Sequence, residues 1–359
     1  MKIGVNARTF STKEPGGSVQ AAKNVTHELV SDSNHEVILF GHQSIQKEFA
    51  TTVVDDYYIS DHRAFGVLWE RTVLPLFAKK YGVDVIFAPN GNGPLTKTTI
   101  PVIMWVHDVG SKKGWMDPLH KTYRNVTLPI ACSVANKIVT PSEFSKNEVI
   151  EELNVGSDKI EVIYNGVDQY FISDRDITPL DLPEKYILVV SSALDFGNRK
   201  NLDAAIDSFR ILKNKYNMEH SLVLVGPENG NIYNKTPSLE DEIHITGYIS
   251  DSELKYTYKN AHVFLYPSLH EGFGLPPLEA MATGTPVVAS NAASMPEILD
   301  DGAILVNPHD TEQFAEEIHK LLVDDGYRAK MECRGKERSK EFTWANTTDL
   351  LLEVCEDIV

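Results

Sequence analysis

The chain alternates short apolar runs with longer amphipathic segments of helical length. In the first half the runs are KIGVN, EVILFG, DVIFAP, PVIMWVHD, KIVT and IEVIYNG. In the second half they are YILVVSS, SLVLVGP, HVFLYPS, TPVVAS and AILV. They are rich in Val and Ile and do not alternate with polar residues, which predicts parallel strands covered on both faces. With helices between them they form βαβ units, so each half predicts a doubly wound α/β sheet. A break falls near residues 168–185, where DQYFISDRDITPLDLPEK carries two prolines and several acids. It reads as a linker between two Rossmann-like domains, 1–168 and 169–342. Doubly wound sheets bind ligands at the carboxyl ends of their strands, so a cleft between the two domains is the expected site.

Charge narrows the function. The chain carries a net charge of −17, which argues against nucleic acid as a partner. Residues 1–170 hold 17 Lys/Arg against 19 Asp/Glu, and residues 171–359 hold 17 against 32. That asymmetry supports the domain split. MKIGVNARTF opens as a strand and not as a secretion signal, and no run approaches the ~20 apolar residues of a membrane span. Three cysteines without metal-ligand spacing fit free thiols in a reducing cytoplasm. The 12 histidines include no HExxH pattern, so no metal is expected.

The most informative stretch is LHEGFGLPPLEAMATGTPVVAS, Leu269 to Ser290. HVFLYPS predicts a strand before it, and Leu275 to Thr283 predicts a helix. Pro276 and Pro277 suit the first helical turn, and Gly284 suits the C-terminal cap. HEGFG is then a strand-to-helix loop in which Gly272 and Gly274 let backbone approach a ligand. The free N–H groups of the helix start favour an anion. Glu271 in that loop stands beside an anion site, and sugar hydroxyls donating to its carboxylate would explain it. Glu279, one turn into the helix, equally suits the helix dipole.

The longer stretch PSLHEGFGLPPLEAMATGTPVVASNAASMPEILDDGAILVNPHD resembles the signature of the retaining nucleotide-sugar glycosyltransferases of family 4 (group 1), which have the GT-B fold. PSEFSKNEVIEELNVGSDKIEVIYNGVD, Pro141 to Asp168, is similar to the family's segment before the linker. EFTWANTTDLLLEVCEDI resembles its closing helix, here 343–359, which in this fold crosses back to the first domain. The likeness is thinnest between about Ile45 and Pro94. The resemblance implies that Glu271 contacts the transferred sugar and Glu279 the nucleotide ribose. It implies that backbone at Gly272, Phe273, Gly274 and Leu275 meets the sugar and diphosphate.

Other constellations join this reading. In GNRKNLDAAIDSF, Arg199 and Lys200 precede a helix starting near Asn201, where two cations oppose the dipole by about 0.3–1 kcal/mol each. A bound diphosphate would relieve that mismatch; pairing with Asp195 or Asp203 is the alternative. The resemblance puts a lysine here on the diphosphate, and the arginine that many members carry near Ser191 and Ser192 is absent. Gly16 and Gly17 in EPGGSVQAAKNV lead into a helix, and an ordinary loop fits them as well; the resemblance places such a pair near the donor phosphate. His107 and Asp108 end the strand in PVIMWVHDVG, with a core histidine as the alternative; the resemblance places a histidine close to the donor sugar. Tyr248 and Ile249 in TGYISDSEL are candidates for the nucleobase turn, or are simply buried turn residues. SKKGWMDPLHKTYR, residues 111–124, has the basic, aromatic character of a peripheral membrane contact and equally that of a mobile loop.

Together these readings predict a cytoplasmic enzyme, with peripheral contact at the inner membrane face through the first domain as an added expectation. It would move a hexose from a nucleoside-diphosphate sugar to a hydroxyl of a glycan or lipid-linked acceptor, with retention. Surface polysaccharide or glycoconjugate synthesis is the expected setting, without metal or other cofactor. Glu271, His107 and Lys200 are the candidate catalytic residues. A GT-B-fold epimerase or a non-catalytic nucleotide-sugar binder is the alternative. The missing dinucleotide fingerprint disfavours a dehydrogenase.

Overall fold

The computed structural model describes residues 1–12, 16–32, 34–55, 63–110, 118–173, 176–192, 194, 196–227, 232 and 236–359. Within these, the side chains of 63–68, 71, 118–124 and 237 are outside the description. The basic, aromatic part of segment 111–124 therefore lies outside the described residues. The chain divides into two compact units, Met1–Gly166 with Trp344–Val359, and Val167–Thr343. The sequence pattern predicts these boundaries at 168 and 342, within two residues of the observed ones.

The first unit is built on seven parallel strands: β1 Lys2–Asn6, β2 Glu36–Phe40, β3 Thr52–Val54, β4 Val85–Ala88, β5 Val102–Trp105, β6 Lys137–Thr140 and β7 Ile160–Val162. Their order across the sheet is β3-β2-β1-β4-β5-β6-β7. The winding reverses between β1 and β4, which pair in register from Ile3 opposite Val85 to Val5 opposite Phe87. The closing helix Trp344–Glu356 packs on the helix Gly17–Ser31 of this unit. Thr347 donates from Oγ1 to the Tyr164 carbonyl at 2.7 Å, tying the end of the chain to the segment after β7.

The second unit has six parallel strands: β8 Tyr186–Val190, β9 Ser221–Val225, β10 Ile243–Gly247, β11 Val263–Tyr266, β12 Val287–Ser290 and β13 Ile304–Val306. Their order is β10-β9-β8-β11-β12-β13. Successive residues of β8 explain why its sequence runs apolar throughout. Tyr186 and Leu188 belong to one core cluster, and Ile187 and Val189 to another. Each face of the strand thus buries side chains under its own layer of helices, at about 1.5–3 kcal/mol per large apolar side chain. The winding reverses between β8 and β11, and that pair positions the site.

In the stretch expected as linker, a short helix spans Gln169–Ile172, capped by Asp168, which accepts from the Tyr170 N–H at 2.8 Å. Phe171 is buried from it into the core of the second unit. Val167 pairs with Thr343 in a parallel bridge, so this unit begins and ends at one place.

Candidate functional site

Two loops meet at the switch point of the second unit. One follows β8 and leads to the helix Leu202–Tyr216; the other follows β11 and leads to the helix Leu275–Thr283. Because β8 and β11 are neighbours, residues some seventy positions apart are brought side by side. The loops are stitched together by backbone. Leu269 N–H donates to the Arg199 carbonyl at 2.7 Å, and Asn201 Nδ2 donates to the carbonyls of Pro267 at 3.0 Å and Pro308 at 2.9 Å. Asn201 can do this because it caps its helix in the left-handed conformation, at φ 56°.

Glu271 is the hub and is only 7% exposed. Its Oε1 accepts from Lys200 Nζ at 2.7 Å and from Ser268 Oγ at 2.6 Å, and its Oε2 accepts from Arg199 Nη1 at 3.0 Å. Burial pushes this carboxyl up. Lys200 and Arg199, with hydrogen bonds from Lys200 and Ser268, outweigh burial and bring it down to about 2. Lys200 also donates to the Tyr266 hydroxyl at 3.1 Å, and its ammonium lies 5.3 Å from that ring centroid. Arg199 Nη1 reaches the His270 carbonyl at 3.0 Å. The two cations expected to oppose the helix dipole are thus held by Glu271. Of the two alternative partners, Asp203 instead accepts from the Gly197 N–H at 2.6 Å, and Asp195 lies outside the described residues.

The backbone beyond Glu271 has the shape the sequence predicts. Gly274 caps the helix Leu275–Thr283 at φ 102° with no side-chain cap. A side chain there would be strained by that left-handed backbone and would press on the tip of Met295. Ser294 Oγ lies 2.9 Å from the Glu271 carbonyl and 3.1 Å from that of Phe273, which fixes the loop from below. Gly272 is buried, and Leu275 packs partly on the core. The Phe273 side chain is buried edge-on against Phe342, with centroids 5.8 Å apart, so packing occupies that ring. Gly284, at φ 92°, ends the helix.

Glu279 lies in a different environment. It is partly buried, and the buried Tyr258 hydroxyl donates to its Oε2 at 3.1 Å. Burial raises its carboxyl to about 7, with Tyr258 opposing and the charges of Asp251 and Asp168 adding to the rise. Of the nucleobase candidates, Tyr248 is 58% exposed and Ile249 packs on the core beside it. Ser250 caps the following helix, Asp251–Asn260, in a reciprocal pair with Glu253.

The remaining candidates belong to the first unit. Gly16 caps the helix Gly17–Ser31, and a Cβ at either glycine would meet open space. His107 follows β5; its Nε2 lies 2.7 Å from the Pro89 carbonyl, and its ring stacks on Trp105 at 5.4 Å. Asp108 accepts from the Gly110 N–H at 3.0 Å. Sequence reasoning missed Ser268, Tyr266, Ser294 and Tyr258, which hold the two glutamates and the loop between them. Among the described residues no group of three or more His, Cys, Asp or Glu is gathered as a metal site requires, and no helix is long and apolar enough to cross a membrane.

Two Rossmann-like units of parallel strands define the GT-B class of α/β proteins. The solved structure of the Anabaena protein HepE in complex with UDP-glucose shares this fold, with a TM-score of 0.77 over 99% of this chain and 100% of that one, at 18% identity. The family model for glycosyl transferases group 1 matches residues 172–338, and that for glycosyltransferase family 4 matches residues 15–170. The chain belongs to the group 1, family 4 glycosyltransferases. Among curated proteins it is similar to the O-antigen chain mannosyltransferase B of Escherichia coli, 33% identical over 63% of this chain and 62% of that protein. It is also similar to the O-antigen chain mannosyltransferase RfbU of Salmonella typhimurium, 30% identical over 63% of each. The matches span less than two thirds of the length of these relatives.

Proposed function

We propose that this chain transfers a hexose, with mannose the first candidate, from a nucleoside-diphosphate sugar to a hydroxyl of a glycan or lipid-linked acceptor, with retention, in surface polysaccharide synthesis. The observation that carries this reading is the Arg199–Lys200–Glu271 cluster beside an uncapped helix start at a sheet switch point. A diphosphate is the anion such a place suits. The cations of Arg199 and Lys200 and the positive end of the helix dipole at Leu275 attract it. Lys200 and Arg199 would stabilise the charge that develops on the leaving diphosphate as the glycosidic bond breaks. Glu271, ionised throughout the physiological range, holds both cations in place and would accept from hydroxyls of the transferred sugar. Glu279 would accept from the ribose hydroxyls, which every candidate donor carries.

His107 and the Gly16–Gly17 pair complete the proposal from the first unit, as groups that position the donor sugar and phosphate. Backbone at Gly247, Tyr248 and Ile249 would meet the base. The reaction so drawn uses no metal and no cofactor, because the two cations and the helix start supply the charge. The mannosyltransferase names of the relatives favour mannose as the sugar, and the O-antigen chain in those names favours a growing glycan as the acceptor. The test is slow donor hydrolysis across a panel of nucleotide sugars, beginning with nucleoside-diphosphate mannoses. One donor should be turned over, and Lys200→Ala should lower that rate by about 100-fold or more. Turnover that survives Lys200→Ala would remove the cluster from the chemistry.

A further inference from the structure

The first unit carries a second polar cluster that the proposed transfer chemistry leaves unused. It lies at that unit's own switch point, at the carboxyl ends of β1 and β4, where doubly wound sheets bind ligands. Asn6 ends β1, and Asn90 and Asn92 follow β4. Glu70, from the helix Arg63–Lys80, is 2% exposed. Asn6 Nδ2 donates to Glu70 Oε1 and to the Asn92 carbonyl, both at 3.1 Å. Arg8 Nε lies 2.9 Å from the same Oε1, yet this buried N–H has no hydrogen-bond acceptor among the described residues. The guanidinium is therefore anchored by charge while its Nε–H stays unspent. Asn90 bonds the Thr9 hydroxyl with one end of its amide, and the other end is buried without a partner.

A buried ion pair adds little to stability even when its partners are close, so the Arg8–Glu70 pair is weak evidence of a purely stabilising role. The Arg8–Glu70 pair is neutral overall, which argues against a phosphate here. An unspent guanidinium edge and amide, beside a threonine hydroxyl, match the mixed donors and acceptors of carbohydrate hydroxyls. We propose that Arg8, Thr9 and Asn90, with Glu70 holding Arg8, form a subsite for sugar hydroxyls at the switch point of the first unit. The subsite rests on the glycosyltransferase reading only for the source of its sugar, the acceptor glycan or the donor hexose.

The test uses the whole chain and methyl α-mannoside, methyl α-glucoside and methyl α-galactoside, with a nucleoside diphosphate and its hexose conjugate measured alongside. Arg8→Lys keeps a positive charge beside Glu70 and removes the fork; Asn90→Ala removes the amide. Thermal unfolding shows that each variant is folded. Both should weaken sugar binding by about tenfold, with the nucleoside diphosphate bound as before. Weakening of the glycoside alone identifies an acceptor sugar. Weakening of the nucleotide sugar, but not of the nucleoside diphosphate, identifies the donor hexose. Folded variants that bind every sugar as the wild type does, or a wild type that binds no probe, overturn the subsite. Arg8-dependent glycoside binding in a chain that hydrolyses no donor would sink the transferase reading and leave the subsite standing.

Discussion

Glu271 and Glu279 are the same residue type, eight positions apart in one strand-loop-helix turn, and their environments push them in opposite directions. Both lose water on folding. Glu271 gains two cations and a serine hydroxyl, and its carboxyl falls to about 2. Glu279 gains one tyrosine hydroxyl at 3.1 Å and faces the charges of Asp251 and Asp168, and its carboxyl rises to about 7. The difference lies in what the neighbouring loop supplies. Among the described residues, the loop after β8 delivers Arg199 and Lys200 to the first glutamate and no side chain to the second. Glu271 is compensated within the fold itself, whereas Glu279 has one hydroxyl and is the carboxylate proposed to meet the donor ribose.

The comparison is broken most forcefully at Glu271. Glu271→Ala leaves two partly buried cations without their carboxylate, which should cost about 3–5 kcal/mol in urea unfolding. Glu271→Gln should lose less, because it keeps the side chain's volume and one acceptor. The depressed carboxyl stabilises the fold above the unfolded value of 4.5, and that contribution is lost as pH falls toward about 2. The stability gap between wild type and Glu271→Gln should therefore stay flat from weakly acid to alkaline pH.

Glu279→Gln should act in the other direction. A raised carboxyl favours the neutral form in the folded state, so ionisation destabilises the fold progressively as pH climbs from 4.5 through about 7. The variant should match wild type at about pH 4 and exceed it by roughly 1–3 kcal/mol at about pH 8 in thermal unfolding. A gap that does not grow with pH would mean that Glu279 is not buried as described. The same variant should weaken donor binding, since a bound ribose needs the carboxylate's two acceptors.

Two smaller effects sharpen the contrast. Gly274→Ala forces a Cβ into the left-handed region, against the tip of Met295, and should destabilise by about 1–2 kcal/mol. Donor affinity should fall with it if the helix start is the phosphate site. Tyr258→Phe removes the one hydroxyl that steadies Glu279, at about 0.5–1.5 kcal/mol, and should move its titration further up. Titration of Glu271 should not change.

Much of this was legible in the sequence, and the parts that were not share a physical cause. The inner strands announced themselves because a strand covered on both faces must be apolar throughout, as β8 is. β3 and β10 were missed. Both are sheet edges, and in β10 the exposed His244 interrupts the apolar run. The loop Glu271–Gly274 and the helix after it were readable from glycine and proline chemistry, which is local. Arg199 and Lys200 stood out as cations at a helix start, but their partner did not, because only the pairing of β8 with β11 brings Glu271 within 2.7 Å. Ser268, Tyr258 and Ser294 carry no local signal, since a hydroxyl in a buried run looks the same whether it packs or bonds. In the first unit Asn6 and Arg8 sat in plain view in MKIGVNARTF, and the fold alone supplied Glu70.

Arg199 and Lys200, held by Glu271, are proposed to bind the diphosphate of a sugar donor. The most direct measurement is calorimetric titration of wild type and Lys200→Ala with a nucleoside diphosphate and with the matching monophosphate. Wild type should prefer the diphosphate by about tenfold or more, and Lys200→Ala should lose most of that preference while remaining folded. An equal preference in both proteins would contradict the claim and leave the cluster a structural ion pair.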